Sequence, residues 1–115
     1  MQKFATAVVL AALLVGGAAL AQHAGHGASA GGTESTRAFR AANDKMHKEM
    51  DIRYSGDADK DFVAGMIAHH DGAVAMAKIV LQFGKDAEIK ALATNIIREQ
   101  EKEIAQMKAW QARNR

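Results

Sequence analysis

The sequence contains no cysteine and no proline, and aromatic residues make up only 5% of its 115 positions. The absence of cysteine excludes a disulfide framework, a thiolate metal site and lipid attachment through a thiol at an export cleavage site. Any soft ligand chemistry must therefore come from methionine, which occurs six times. At this length the chain has room for one small domain.

A surplus of one charge is also lacking, as are the common catalytic motifs. The sequence has 15 Lys and Arg residues, one of them Lys3, against 13 Asp and Glu, and no basic patch indicates nucleic acid binding. It has no nucleophile elbow and no phosphate-binding loop. The Glu-x-x-His motif of a di-iron site is missing, because Met66 and Ile67 stand three residues before the paired histidines. We predict that the protein is not an enzyme, with a metal-dependent oxidoreductase as the least favoured alternative.

The first 21 residues have the layout of a secretory signal peptide. Lys3 supplies a charged start, an apolar segment runs from Ala5 to about Val15, and Ala19-Leu20-Ala21 forms a small-x-small cleavage site. A retained membrane anchor is the alternative, but the apolar run is short and is interrupted by Gly16-Gly17. We predict cleavage after residue 21, a periplasmic or secreted protein, and no membrane association afterwards.

Residues 22–34 are rich in Gly, Ala, Ser and His and have almost no large apolar side chain. Such a segment cannot bury enough surface to offset the entropy of ordering, so we predict a flexible leader. His23 and His26 within this leader are spaced to hold Cu(II) loosely.

From residue 35 onwards the spacing of apolar residues becomes helical. Apolar side chains recur at three- and four-residue intervals, which predicts helices over about 36–53, 60–83 and 87–112. The two long helices form an antiparallel hairpin across which the first helix packs, so residues 35–115 are predicted to be a small all-α bundle. Its core is modest, and self-association into a homo-oligomer is a reasonable expectation.

Polar residues and glycine mark the predicted helix ends. Asp57 or Asp59 caps the start of the second helix, and Asp86 caps the third, because a carboxylate accepts hydrogen bonds from the free amides of the first turn. Gly84 follows the second helix, where glycine adopts a left-handed conformation without steric cost.

The second helix carries a histidine pair within an apolar run. At about 100° per residue, Met66 and His70 lie near the centre of its apolar face, and His69 lies a quarter turn away towards Met76. If the hairpin turns near residue 85, this stretch lies opposite part of the apolar stripe of the third helix. That part contains Gln100, Glu103 and Met107.

Thioether sulfur and neutral imidazole are the ligands that suit Cu(I) and Ag(I). The candidate ligands are His69, His70, Met66, Met76 and Met107, joined from the first helix by Met46, His47 and Met50. Each has a structural alternative, because methionine fills irregular cores and a buried imidazole can be satisfied by a partner such as Glu103. Zinc is disfavoured, because adjacent histidines diverge by about 100° along a helix and suit one tetrahedron poorly.

Over about residues 43–110 the chain resembles the domain of unknown function 305 family. The matching features are MHKEM, SGDADKDFVAGMIAHHDGAVAMAK, GKDAEIKALATNIIREQEKEIAQM and Trp110. The resemblance implies a ferritin-like helical bundle, export to the periplasm and, in some members, copper or silver binding in metal resistance, with the candidate ligands named above. This chain has Ala68 where family members commonly carry a proline that would kink the helix and aim the histidines.

We therefore expect a periplasmic metal-binding protein that holds Cu(I), or Ag(I), through Met and His side chains and acts in copper buffering, transport or resistance. Gln100 and Glu103 are secondary candidate ligands, and His23 and His26 are candidates for Cu(II). The alternative is a structural or interaction bundle with no metal role, in which the His/Gln/Glu cluster serves only packing.

Overall fold

The computed structural model describes residues 32–115, which form three α-helices. Helix α1 spans Glu34–Met50, α2 spans Ala58–Phe83 and α3 spans Ala87–Arg113. No residue of this part of the chain lies in a strand. The predicted all-α class is therefore confirmed, while the predicted signal peptide and nearly all of the predicted leader lie outside the described residues.

Each helix begins at a side chain that caps its free amides. The Thr33, Asp57 and Asp86 side chains each accept a hydrogen bond from a backbone amide two or three residues further on. Of the two caps considered for α2, Asp57 is correct, and Asp86 is correct for α3. The Thr33 cap starts α1 at Glu34, two residues earlier than predicted and at the last residue of the predicted leader.

Asp61 holds the link between α1 and α2. Helix α1 ends at Met50, three residues before the predicted end at Arg53. The Asp61 Oδ1 atom accepts hydrogen bonds from the amide and the hydroxyl of Ser55, both at 2.8 Å, and Oδ2 accepts the Gly56 amide at 3.1 Å. These bonds, the Ser55 amide first, hold the pKa of Asp61 below its ordinary value. The link is a compact turn that bonds back to α2.

The end of α2 differs from the prediction. Gly84 has φ −71° and ψ 155°, so it is extended and not left-handed, and its amide donates to the carbonyl oxygen of Val80 at 2.8 Å. A Cβ atom at this position would lie 2.5 Å from that same oxygen. Glycine is therefore suited to this site by the close approach of the backbone and not by the sign of φ.

Helix α2 lies in the middle of the fold. Helices α1 and α3 both pack on α2, but within residues 32–115 they do not pack on each other. The predicted packing of the first helix across the hairpin is thus confined to one helix of the hairpin. The buried apolar residues come from α2 and α3 and are Val63, Ala68, Val74, Ala77, Ala93 and Ile104. No helix of the described part is long and apolar enough to cross a membrane.

An apolar groove of about 350 Å³ lies over α2 between the two outer helices. Phe39 of α1, Met76 of α2 and Leu92 of α3 are among its lining residues. Leu92 is 53% exposed, and Phe62, which the periodicity assigns to the apolar face of α2, is 63% exposed. Periodicity predicts which side of its helix each of these side chains occupies. It does not predict how much of that side the neighbouring helices cover, and the cover is incomplete at both residues.

Candidate metal site

A cavity of about 320 Å³ lies between α2 and α3 and is lined by sulfur, imidazole and carboxylate groups. From α2 it takes Met66 and His70, which are four residues apart and therefore neighbours on one helix face. From α3 it takes Glu103 and Met107, which have the same spacing. Phe62 and Gln106 complete the lining. The predicted alignment of this part of α2 with Glu103 and Met107 is confirmed.

His70 and Glu103 join the two helices directly. His70 Nε2 lies 2.5 Å from Glu103 Oε2, and the His70 side chain is only 12% exposed, whereas that of Glu103 is 56% exposed. An ionised carboxylate can only accept a hydrogen bond, so the ring donates from Nε2. The pair fixes the orientation of the imidazole from the neighbouring helix.

The other nitrogen of the same ring is buried and unpaired. Within residues 32–115, the buried side-chain nitrogen and oxygen atoms without a hydrogen-bond partner are His70 Nδ1 and Gln100 Oε1. Gln100 lies one turn before Glu103 on α3, and α3 packs only on α2 within this range. Both orphan atoms therefore belong to the interface that also carries the cavity. Buried acceptors of this kind are costly unless a donor, a water molecule or a cation satisfies them.

The other candidate ligands lie elsewhere on α2. Met46 of α1 packs directly over Gly72, where a Cβ atom would fall on the Met46 sulfur and lie 2.6 Å from its Cγ atom. Glycine in the middle of α2 thus allows α1 to approach closely. Met76 lines the apolar groove with Phe39. Neither sulfur lines the α2–α3 cavity.

The remaining ring and sulfur positions are more open. His47 and His69 are exposed, and Met50 is half-buried. The His69 and His70 rings have centroids 6.0 Å apart and planes inclined at 62°, but His69 does not line the cavity. The prediction that His69 joins His70 in one metal site is therefore wrong. The structure does not bring the eight candidate ligands together into a single site.

The α2–α3 cavity is the part of the fold whose chemistry fits a soft metal ion. No three His, Asp or Glu side chains converge within the described residues, so an ion held there would draw on thioether sulfur beside imidazole. Met66, Met107 and His70 supply that set, and the buried lone pair of the ring is the atom that needs a partner. His23 and His26 lie outside the described residues.

Two residues that shape this region were not among the candidates. Gly72 was overlooked, although a glycine inside a helical pattern often indicates a close backbone approach. Gln106 borders the cavity, but a glutamine on a polar helix face carries no distinguishing pattern.

These observations define a class: an all-α protein whose central helix shares a His/Met/Glu cavity with one neighbour. The chain belongs to the family described as Domain of unknown function (DUF305), which it matches over residues 7–111. It is also 47% identical over 49 residues to "Uncharacterized protein L153" of Acanthamoeba polyphaga mimivirus. The matched segment is 43% of this chain and 32% of the viral protein, so the chain spans about a third of that relative.

Proposed function

We propose that the chain is an exported protein that binds Cu(I) or Ag(I) through Met and His side chains and acts in copper buffering, transport or resistance. The observation that carries the proposal is the shared lining of one cavity by Met66, His70 and Met107. Two thioethers and one imidazole are a donor set that soft monovalent ions accept readily. The cavity lies between two helices, so each helix contributes sulfur and neither holds the ion alone.

Export is the second part of the proposal, and it rests on the amino-terminal sequence. Thiolates are prone to oxidation in exported proteins, whereas thioethers keep their lone pairs there, so a site without cysteine suits that compartment. His23 and His26 hold Cu(II) more loosely ahead of the helical part. The ion is cargo in this proposal, and the protein performs no reaction on it.

The decisive experiment compares two adjacent histidines. Purified, tag-free protein is titrated with Cu(I) under anaerobic conditions against a competing chelator. The fluorescence of Trp110, which lines a neighbouring cavity together with Met107, serves as a second readout. We expect His70→Ala to lower the affinity by more than ~100-fold and the exposed His69→Ala to leave it unchanged. Equal affinities for the wild-type protein and both variants would contradict the proposal.

A structural role for the same residues is the second candidate, and the His70–Glu103 hydrogen bond favours it. That bond joins α2 to α3 and satisfies one ring nitrogen without any metal ion. The two candidates differ in linkage, because a ligand bound only by the folded state at 100 times its Kd stabilises that state by ~2.7 kcal/mol. A thermal unfolding midpoint that does not respond to Cu(I), Ag(I) or chelator would support the structural role.

A further inference from the structure

The hydrogen bond to Glu103 determines which nitrogen of His70 is available as a ligand. We infer that His70 binds the metal ion through Nδ1, and that Glu103 is a positioning residue that holds the ring by Nε2 without touching the ion. The inference deepens the proposed function, on which it rests, by naming the ligating atom and the residue that prepares it.

The hydrogen bond to Glu103 determines the tautomer of the His70 ring. A neutral imidazole has one N–H and one lone pair, and the nitrogen that carries the proton is set by the hydrogen bond that the ring makes. With Glu103 accepting at 2.5 Å, a neutral His70 ring carries its proton on Nε2 and its lone pair on Nδ1. A metal ion binds a ring nitrogen through its lone pair. Because Nε2 carries the proton that is donated to Glu103, Nδ1 is the nitrogen that remains available as a ligand.

The nitrogen that carries this lone pair has no partner within the protein. His70 Nδ1 is buried, and no protein atom of the described range hydrogen-bonds to it. Gln100 Oε1, on the helix that carries Glu103, is also buried and also lacks a hydrogen-bond partner in the described range. Two acceptors without donors at one helix interface call for a group that accepts electron pairs, and a cation satisfies an imidazole lone pair directly.

Glu103 approaches the His70 ring from the neighbouring helix. Histidine ligands commonly donate their second N–H to a carboxylate, which fixes the ring and raises its basicity, and loss of that partner costs ~10–100-fold in metal affinity. Glu103 stands on α3 while His70 stands on α2, so the pairing of the helices sets the aim of the ligand. In this arrangement the half-exposed Glu103 carboxylate orients the imidazole and does not coordinate the ion itself.

Nitrogen-15 NMR of the imidazole rings tests the ligating atom. In the metal-free protein we expect the His70 ring to show a protonated Nε2 and an unprotonated Nδ1. Silver(I) is diamagnetic and its nuclei have spin one half, so a bound Ag(I) splits the resonance of the nitrogen it contacts. Splitting of the His70 Nδ1 resonance supports the inference, and splitting of Nε2 overturns it.

Matched variants on α3 test the positioning role. Glu103→Ala removes the partner of Nε2, whereas Glu101→Ala removes a carboxylate from another face of the same helix, where it lies 3.9 Å from Lys78. We expect Glu103→Ala to mix the two ring tautomers and to lower Ag(I) affinity by ~10–100-fold. Glu101→Ala should leave both the tautomer and the affinity unchanged. An unchanged tautomer in Glu103→Ala would overturn the positioning role.

The outcomes also separate this inference from the proposed function. If Ag(I) and Cu(I) do not bind, both fail. If Ag(I) binds while the His70 nitrogens show no splitting, or while Nε2 is split, the binding function stands and the assignment to Nδ1 fails.

Discussion

The two neighbours of α2 use it in different ways. On the side of α3, Met66 and His70 of α2 line a cavity. Glu103 and Met107 of α3 line the same cavity from the other side. On the side of α1, α2 presents Gly72, and the Met46 side chain lies on its backbone. The α2–α3 interface surrounds a cavity with polar and sulfur-containing side chains. At the α1–α2 interface, glycine allows the Met46 side chain to pack directly on the backbone of α2.

The difference shows that methionine has two roles in this chain. A thioether pressed against a glycine fills volume, as methionine does in many cores. A thioether that lines a cavity together with an imidazole is placed to donate a lone pair to a metal ion. Counting methionines along the sequence cannot separate these roles, because the neighbour on the opposite helix decides between them. Four substitution experiments test the contrast.

The largest effect is expected from removing sulfur on the α3 side. Met66→Leu combined with Met107→Leu should lower Cu(I) affinity by more than ~100-fold, because both thioether ligands are lost. Met46→Leu combined with Met50→Leu should leave the affinity unchanged. Each exchange nearly conserves volume and costs less than ~1.5 kcal/mol of stability, so chelator competition reports ligand loss and not unfolding. Equal losses in the two double variants would remove the contrast.

The α1 side should respond to added volume instead. Gly72→Ala places a methyl group on Met46, and overpacking of this kind costs ~1–3 kcal/mol against ~1 kcal/mol gained in helix propensity. We expect a net loss of up to ~2 kcal/mol in the free energy of unfolding, measured by urea denaturation.

Gly65→Ala is the matched control for that substitution. A Cβ atom at Gly65 meets no atom within 4 Å, so stability should rise by ~0.5–1 kcal/mol. In a Met46→Ala background the cost of Gly72→Ala should be smaller, because the sulfur and Cγ atoms are gone and the Cβ atom of residue 46, at 2.9 Å, is the contact that remains. An undiminished cost there would show that the outer part of the Met46 side chain is not the source of the clash.

The link on the α1 side should be sensitive to acid. Because the folded state lowers the pKa of Asp61, its ionised carboxylate stabilises the fold above the ordinary aspartate range, near pH 4. That stability is lost as the pH falls through the lower pKa of the folded state. Asp61→Asn should therefore reduce stability at pH 7 and weaken its decline on acidification. Denaturation from pH 7 to pH 3 measures this, with Asp71→Asn as the charge-matched control in the same helix.

The smallest effect is expected at the exposed imidazole of α1. His47→Ala should change the free energy of unfolding by less than ~0.5 kcal/mol and leave Cu(I) affinity unchanged, because the side chain is exposed and does not line the α2–α3 cavity. A clear loss of affinity in this variant would mean that α1 contributes a ligand after all. Chelator competition under the conditions used for the methionine variants makes the comparison direct.

Much of this arrangement was predictable from the sequence. Helical periodicity and capping carboxylates located α2 and α3 almost to the residue, and the short link at Gly84 set the antiparallel alignment of His70 with Glu103. Such features are local, or follow from the length of one connection.

Other features depend on the neighbour that covers each arc of a helix. The phase of α2 places His69 and His70 about 100° apart, but it does not say that α3 covers one and leaves the other open. The contact of Met46 with Gly72 depends on the depth at which α1 packs. The hydrogen bonds from Ser55 to Asp61 depend on the folded path of the seven-residue link 51–57, which no periodicity describes.

The lack of packing between α1 and α3 in residues 32–115 divides the fold into layers that can open separately. Detachment of α1 exposes one side of α2 and breaks none of the contacts that join α2 to α3. Amide hydrogen exchange should therefore be fastest in α1 and slowest in α2, which both neighbours protect. A bound ion in the α2–α3 cavity should slow exchange in those two helices while α1 continues to open at its own rate. The proposed cargo would then be held by the part of the chain that opens last.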